Sequence, residues 1–478
     1  MSARLRRIKN RRRGRGKQRG IALPMVIGAI VVLSVVLAEF QTDVSAEVSA
    51  ATSARDAVQA EYMARSAINL SRLLIASEPT IRAAVAPLFA FLKKSPPQLP
   101  VWEFSDRLLS AFMSEEDAPA DGAPPKPAEN TTATLLFDDS KGRNVTTPGG
   151  HFELVIVDED AKLNMNQGSS NDIARIRLGK QIMGLIGPLQ YSTIFDQRDA
   201  QGQSNDRAQT CQALIDWADV DETAFTCDFS SNAQSAGSED SFYSLLPKPY
   251  KRKNGPYDSL EELHMVRGVS EDFWAAFVDP EPTNPKKRVV SIWGQGTVNV
   301  NTANAQTLLA VVCSGAPTAE ICIDPTQAQS FLMGVTMARG ISMGAPLFGS
   351  PQDFVQTMTG KGMLGPILAS MGMKPVKFQS EAEFAKSIAT ESKMFSIYAV
   401  GVKKGYKRET RVKLHAVVDF RTAPPLGTPG APGTPQAGTP NATTGTTTTT
   451  TTGPASADAI AAALKPSSGG QVVYFRAE

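Results

Sequence analysis

A long apolar run near the start of the chain dominates the pattern of polar and apolar positions. No residue from Ile21 to Ala38 is charged, and Glu39 is the first acid. A helix over this run would span about 27 Å, close to the roughly 30 Å hydrocarbon core of a bilayer. The pattern predicts a transmembrane helix over 21–38.

The apolar pattern continues beyond Glu39 with a helical period. Apolar residues recur at three- and four-residue steps as far as about Ser77, and neither Gly nor Pro interrupts this stretch. One helix of about fifty residues is therefore predicted, partly in lipid and partly amphipathic. Further helical sequence extends segment 39–113 to Met113, and a linker rich in Pro, Ala and acids follows at 114–130.

Strand-like runs lie on either side of a long helical region. They predict a sheet from segments 131–163, 380–421 and 471–478, with strands at Ala133–Phe137, His151–Asp158, Phe395–Val402, Glu409–Phe420 and Gln471–Phe475. Between the last two, segment 422–470 is a low-complexity Pro/Gly/Thr loop with a short predicted helix at Ala457–Leu464. An α+β fold follows, with a long amino-terminal helix packed on an antiparallel sheet.

A repeated phrase organises the helical region. Asn164 and Asn166 follow one strand-like run, and Asn299 and Asn301 follow another. Since Asn caps exposed helix N–H groups, the repeat predicts two related helical domains, 164–298 and 299–379. In the first, Ser259 and Glu262 form a predicted capping box. Lys251–Lys253 is interpreted as a solvated basic cluster, with contact to an acidic partner as the alternative.

Charge and composition exclude several functions. The net charge is +2, but ten of the first twenty residues are Lys or Arg, so the remainder is acidic. A nucleic-acid-binding body would need basic density on its folded surface. No nucleophile, zinc-protease or nucleotide-binding motif occurs, and His151, His264 and His415 are scattered. The sequence therefore predicts no enzyme activity.

Four cysteines fall as two close pairs, Cys211 with Cys227 and Cys313 with Cys322. This spacing suits two local disulfides in an oxidising compartment. Reduced structural thiols and a zinc site remain as alternatives, although no CxxC motif occurs.

The junction between the basic leader 1–20 and the apolar run resembles the prepilin peptidase site of the type IV pilin and pseudopilin class. The resemblance rests on Gly20, which directly precedes the apolar run, and it implies cleavage after Gly20 and methylation of the new terminus, Ile21. The alternative is a simple signal anchor.

Further segments resemble the K-type minor pseudopilins of type II secretion systems. Most pilins carry a glutamate at the fifth mature position, whereas Met25 stands there, as in K-type subunits. The other resembling segments are Gln59–Leu70, Asp158–Asn166, Val298–Ala303, Ala213–Asp221 and Tyr250–Val269.

This resemblance implies a pilin-like fold with inserted all-α domains similar to sterile-alpha-motif or helix-hairpin-helix units. It also implies an inner-membrane protein, with one membrane pass and most of the chain in the periplasm. There it would initiate and cap a secretion filament that exports folded proteins. The implied partners are the I- and J-type minor pseudopilins, the major pseudopilin filament and prepilin peptidase, and no nucleic acid.

An acidic loop carries the candidate metal chemistry. Closely spaced carboxylates can supply the oxygen ligands that calcium needs. K-type pseudopilins bind calcium in this inserted domain, and the resemblance implies the ligands Asp219, Asp221, Glu239 and Asp240, with Asp216 as a structural residue at a helix end. The alternative is an acidic, solvated loop.

Two other functions remain open from the sequence. One is a minor pilin of a type IV pilus. The other is a membrane-anchored DNA-binding or DNA-uptake receptor built on the helical hairpin around Gly268, since such hairpins often bind DNA. Salt-dependent duplex binding by the exported part would favour the receptor.

Overall fold

The structure is a computed structural model. It describes residues 22–90, 96–105, 150–195, 206–229, 240–342, 344–362, 365–370, 372–405, 408–426 and 468–477. Several predicted features lie outside these residues, namely the leader with Gly20 and Ile21, the linker 114–130, the strand Ala133–Phe137, the helix Ala457–Leu464 and Glu239.

Six of the described helices have eight residues or more: α1 (Ala22–Ala90), α2 (Asp172–Ile186), α3 (Arg207–Asp216), α4 (Ala305–Gly315), α5 (Pro325–Ser342) and α6 (Pro351–Met358). The shorter α-helices are Ser192–Phe195, Ser241–Ser244, Glu271–Phe273, Glu320–Ile323, Gly365–Ser370 and Glu381–Ala385. Short 3-10 helices cover Val101–Phe104, Glu159–Ala161, Met165–Ser169, Leu189–Tyr191, Leu260–Met265 and Pro285–Lys287, and a π-helical turn covers Trp274–Val278.

The strands are β1 (Gly150–Asp158), β2 (Leu163–Asn164), β3 (Val290–Ser291), β4 (Val298–Asn299), β5 (Ile388–Ala389), β6 (Met394–Lys404), β7 (Glu409–Asp419) and β8 (Gln471–Ala477). Four of them form an antiparallel sheet in the order β1-β6-β7-β8. Two short parallel pairs, β2-β3 and β4-β5, lie outside this sheet.

Helix α1 covers one face of the sheet. Its buried residues Ala64, Ala67, Ile68 and Ile75 recur at helical spacing and meet strand residues from β1, β6 and β7 in one core. Every second strand residue points towards the helix, as Phe152, Leu154 and Ile156 do on β1, and these apolar side chains form the other half of this core. The predicted α+β class, a long amino-terminal helix on an antiparallel sheet, is confirmed.

The helical region is an insertion between neighbouring strands. Asp158 at the end of β1 lies opposite Phe395 near the start of β6, although more than two hundred residues separate them. The inserted residues form a second hydrophobic core, which includes both predicted helical domains. The two share this core because Gly184 on α2 has no side chain, so that α2 approaches the backbone of α4 at Ala310.

Three local predictions need correction. The first helix, predicted at about fifty residues, is one unbroken helix of 69 residues that continues through Pro79 and Pro87 into the further helical sequence predicted after Ser77. The turn Leu260–Met265 is a 3-10 helix, and the Ser259 side chain makes no cap there; instead the Glu262 carboxylate accepts a bond from the Asp258 N–H at 2.9 Å.

Candidate functional site

The first part of α1 is exposed along its length and meets the rest of the molecule near its end, where Arg408 donates to the Ser49 carbonyl at 3.4 Å. Residues 22–51 are all exposed, and the large apolar side chains among them include Leu23, Met25, Ile30, Leu33 and Phe40. At 1.5 Å per residue this first part is about 45 Å long. Among the described residues, α1 is the one helix long and apolar enough to cross a membrane. Such a surface needs lipid or other protein to cover it.

The second part of α1 is fixed to the sheet at very short range. Gly401 on β6 lies under Ala60, where a Cβ atom would overlap the Ala60 carbonyl oxygen. Only glycine permits this approach of helix backbone to strand backbone. The first part of α1 is therefore carried on a rigid base.

Charged groups strengthen the same attachment further along α1. The Arg82 guanidinium pairs with Glu78 on the helix and with Glu391 just before β6. Glu78 is buried and also accepts a bond from the Leu99 N–H at 2.9 Å. Burial alone would lower the pKa of Arg82, but these ion pairs raise it. Burial alone would raise the pKa of Glu391, but the pairing with Arg82 lowers it.

Met25 lies in the first part of α1, with 71% of its surface exposed. Its side chain brings no charge into the apolar stretch, where a buried carboxylate would be costly without a cationic partner. Because Gly20 and Ile21 lie outside the described residues, cleavage between them stays a prediction.

Buried carboxyl groups join the sheet to the inserted region. Asp158 accepts bonds from the hydroxyls of Thr302 and Ser392, and Asp160 accepts bonds from backbone N–H groups of Lys393 and Gln295. Burial, and then repulsion from Asp160, raises the pKa of Asp158 to about 8. The pKa of Asp160 is also raised by burial. The junction therefore holds a proton at neutral pH.

The two Asn-rich phrases have matching structural roles. Asn166 donates to the carbonyls of Tyr257 and Ile292 and accepts from the Tyr257 N–H. Asn301 donates to the Phe348 carbonyl and accepts from the N–H groups of Leu347 and Phe348. Each side chain thus fastens a distant loop, while the helices that follow are capped by Asn171 and Asn304.

The acidic loop follows α3 and is packed between two arginines. Arg175 on α2 donates to Asp221 at 2.6 Å, to Asp172 at 2.7 Å and to Asp219 at 3.4 Å. Arg252 donates to the backbone carbonyls of Asp216 at 2.8 Å and Asp221 at 3.1 Å. The loop is therefore held from both sides by positive charge.

Arg252 also faces two carboxylates. Its guanidinium lies 3.6 Å from Asp219 Oδ1 and 3.4 Å from Asp240 Oδ1, and neither oxygen has a hydrogen-bond partner among the described residues. Its side chain is 3% exposed. The basic cluster Lys251–Lys253 is thus not solvated as a whole, since Arg252 lies inside and Lys253 pairs with Asp258 and Glu262.

The carboxyl groups of the loop titrate differently because their surroundings differ. Burial raises the pKa of Asp216 to about 7 and, with repulsion from Asp221, that of Asp219 to about 6. The Arg175 bond instead lowers the pKa of Asp221. Asp216 ends α3 and accepts the Phe225 N–H at 2.8 Å, so it has a structural role at a helix end.

The described part of this loop does not fit a calcium ion. Calcium takes six to eight oxygen ligands at about 2.3–2.6 Å. Asp219, Asp221 and Asp240 instead each face a guanidinium, and no group of three His, Cys, Asp or Glu side chains among the described residues is arranged to hold a metal. Glu239 lies outside the described residues, so the structure describes three of the four predicted calcium ligands.

Both cysteine pairs are disulfides in the structure. Cys211 on α3 is bonded to Cys227 with a Cα–Cα distance of 6.1 Å, and Cys313 on α4 is bonded to Cys322 with 5.7 Å. The first bond closes the acidic loop onto α3. The loop is therefore held covalently as well as by charge.

Sequence reasoning missed several of these residues. Arg175 was not singled out, and Arg252 was assigned to a solvated basic cluster, because each reaches the acidic loop from another part of the chain. Gly401 was missed because a single glycine in a strand does not reveal what packs on it. The unusual density of charge in Asp158–Lys162 was a usable signal for a buried polar junction.

Comparisons with known proteins bear on the region around this loop. The family model of type II secretion system (T2SS) protein K matches residues 190–278. This range contains the acidic loop, the disulfide Cys211–Cys227 and the turn Leu260–Met265. A comparison with the curated proteins finds no match.

Among solved structures, one similar chain comes from the crystal structure of the GspK-GspI-GspJ complex of the type 2 secretion system of enterotoxigenic Escherichia coli. The identity is 15%, the match covers 57% of this chain and 76% of that chain, and the TM-score is 0.36. The assignment therefore rests on the family match. Residues 190–278 are similar to the type II secretion system protein K family, and the predicted resemblance to that family is confirmed over this region.

Proposed function

We propose that this protein is a minor pseudopilin at the tip of a type II secretion pseudopilus. There it initiates and caps filament assembly, and so promotes export of folded periplasmic proteins across the outer membrane. The observation that carries the proposal is the match of residues 190–278 to the protein K family. The role is one of binding and assembly, without catalysis.

The shape of α1 supports an assembly role. Its first, apolar part can enter the inner membrane and then pack among the helices of other subunits, while its second part holds the sheet and the inserted region in the periplasm. Two disulfides suit that oxidising compartment.

Met25 supports a place at the tip. In a filament, a glutamate at the fifth mature position can pair with the terminal amine of a neighbouring subunit. A subunit at the tip has no neighbour above it, so a carboxylate there would be buried without a partner. A neutral side chain avoids this cost.

The proposed partners follow from the family. They are the I- and J-type minor pseudopilins, which would contact the amphipathic part of α1 and the sheet, the major pseudopilin below them, and prepilin peptidase, which would cleave after Gly20. Burial of apolar helix surface would supply most of the binding energy.

Deletion of the gene in the source bacterium tests the proposal. Loss of secreted folded enzymes from the medium, with their accumulation in the periplasm and with surface pili intact, is expected. The full chain supplied on a plasmid should restore secretion. Normal secretion with loss of pili or twitching would instead assign the protein to a type IV pilus.

A further inference from the structure

The acidic loop contains its own cations. We propose that the guanidinium groups of Arg175 and Arg252 take the place of a metal ion, so that this loop folds and stays folded without calcium. The proposal goes beyond the proposed function and is independent of it, since the ion pairs lie within this chain and do not depend on which filament it joins.

The first step of the argument is position. Arg175 comes from α2 and reaches three carboxylates, those of Asp172, Asp219 and Asp221. Arg252 comes from the segment after the short helix Ser241–Ser244 and lies between Asp219 and Asp240. The two arginines therefore tie together the elements that a shared metal ion would connect, and Asp219 faces both.

The second step is burial. The Arg252 side chain is 3% exposed and that of Asp219 is 2% exposed, so bulk water solvates neither charge. A buried charge must have an opposite charge or strong hydrogen bonds near it. Arg252 satisfies this requirement with two backbone carbonyls and two carboxylates.

The third step is exclusion. A calcium ion bound to both Asp219 and Asp240 would lie between them, where the Arg252 guanidinium already is. Two cations in one buried space repel each other strongly. Calcium could therefore enter only if Arg252 moved out, which would break its bonds to the carbonyls of Asp216 and Asp221.

Thermal unfolding of the full chain in detergent tests the proposal. The wild-type protein is expected to unfold at the same temperature in millimolar calcium, in millimolar magnesium and in excess chelator. Calorimetric titration with calcium chloride should show no binding. A calcium-dependent rise of several degrees in the wild-type protein, abolished by Asp219→Asn, would overturn the proposal.

Substitution of the arginine provides the second arm. Arg252→Gln should lower the unfolding temperature in chelator by several degrees, because it takes one of two guanidinium groups away from the buried Asp219 carboxylate and removes the ion pair of Asp240. Calcium, but not magnesium, should recover part of this loss, since the vacated space is flanked by two carboxylates. Arg177→Gln on the same helix as Arg175 is the matched control, and it should cause neither effect.

A variant that fails to fold leaves the wild-type titration as a sufficient test. The double variant Asp219→Asn with Arg252→Gln removes both charges and should unfold at a higher temperature than Arg252→Gln alone in chelator. It should also show no response to calcium. A calcium response in this double variant would contradict the assignment of the site to these residues.

Discussion

Asp158 and Asp160 place two carboxyl groups inside the protein where β1 meets the inserted region. Since the pKa of Asp158 is raised to about 8, the folded chain binds a proton that the unfolded chain releases near pH 4. The stability from this proton is present below pH 4 and is lost as the pH rises towards 8.

Asp158→Asn should remove this contribution to the pH dependence of stability. One proton gives at most about 1.4 kcal/mol per pH unit, so we expect the wild-type protein to lose about 1 kcal/mol per unit more than the variant between pH 5 and 7. Urea unfolding at each pH measures the slopes. The exposed Asp272→Asn is the control and should keep the wild-type slope; an unchanged slope in Asp158→Asn would refute the assignment.

Single residues also show what the sequence could predict. The repeated asparagines Asn166 and Asn301 were found because the phrase around them recurs. In the structure, the side chain of each hydrogen-bonds to the backbone of a distant loop. Their partners could not be predicted, because Tyr257 and Phe348 meet them only after folding. The arginines of the acidic loop were missed for the same reason.

At the scale of elements, the contact of α1 with β6 depends on Gly401. Gly401→Ala should place a methyl group against the Ala60 carbonyl and separate helix from sheet. The expected loss is about 1–3 kcal/mol of unfolding free energy, measured by denaturant unfolding of the full chain in detergent.

Gly340→Ala on α5 is the matched control for this prediction. A Cβ atom added at Gly340 would meet no atom within 4 Å outside its own stretch of helix. Alanine also favours a helix by about 1 kcal/mol over glycine. The control should therefore be neutral or slightly stabilising. Equal effects of the two substitutions would show that the close approach at Gly401 does not matter for stability.

Elements with a clear period were predicted well, and elements that depend on distant contacts were not. The runs at His151, Phe395, Glu409 and Gln471 all form strands of one sheet. Further helical sequence was predicted beyond Ser77, but not that α1 continues unbroken to Ala90, because Pro79 and Pro87 disfavour the interior of a helix. In the folded chain, ion pairs of Arg82 with Glu78 and Glu391 hold this part of α1.

At the scale of the whole molecule, the insertion between β1 and β6 gives one chain two hydrophobic cores. The helix and sheet form one core and the inserted helices form another, so the second can carry a different surface without changing the first. The order of segments along the sequence indicated an insertion. The shared core of the two helical units could not be predicted, because it depends on the backbone contact at Gly184.

The central claim is that this chain is processed and assembled as a pseudopilin. The most direct test is to express the full chain with a prepilin peptidase and determine the mature amino terminus by intact mass and sequencing, with Gly20→Leu as control. We predict a protein that begins at methylated Ile21, and a control that stays uncleaved. A chain that keeps its leader, or is cleaved beyond Ala38, would contradict the claim and favour a signal-anchored periplasmic protein.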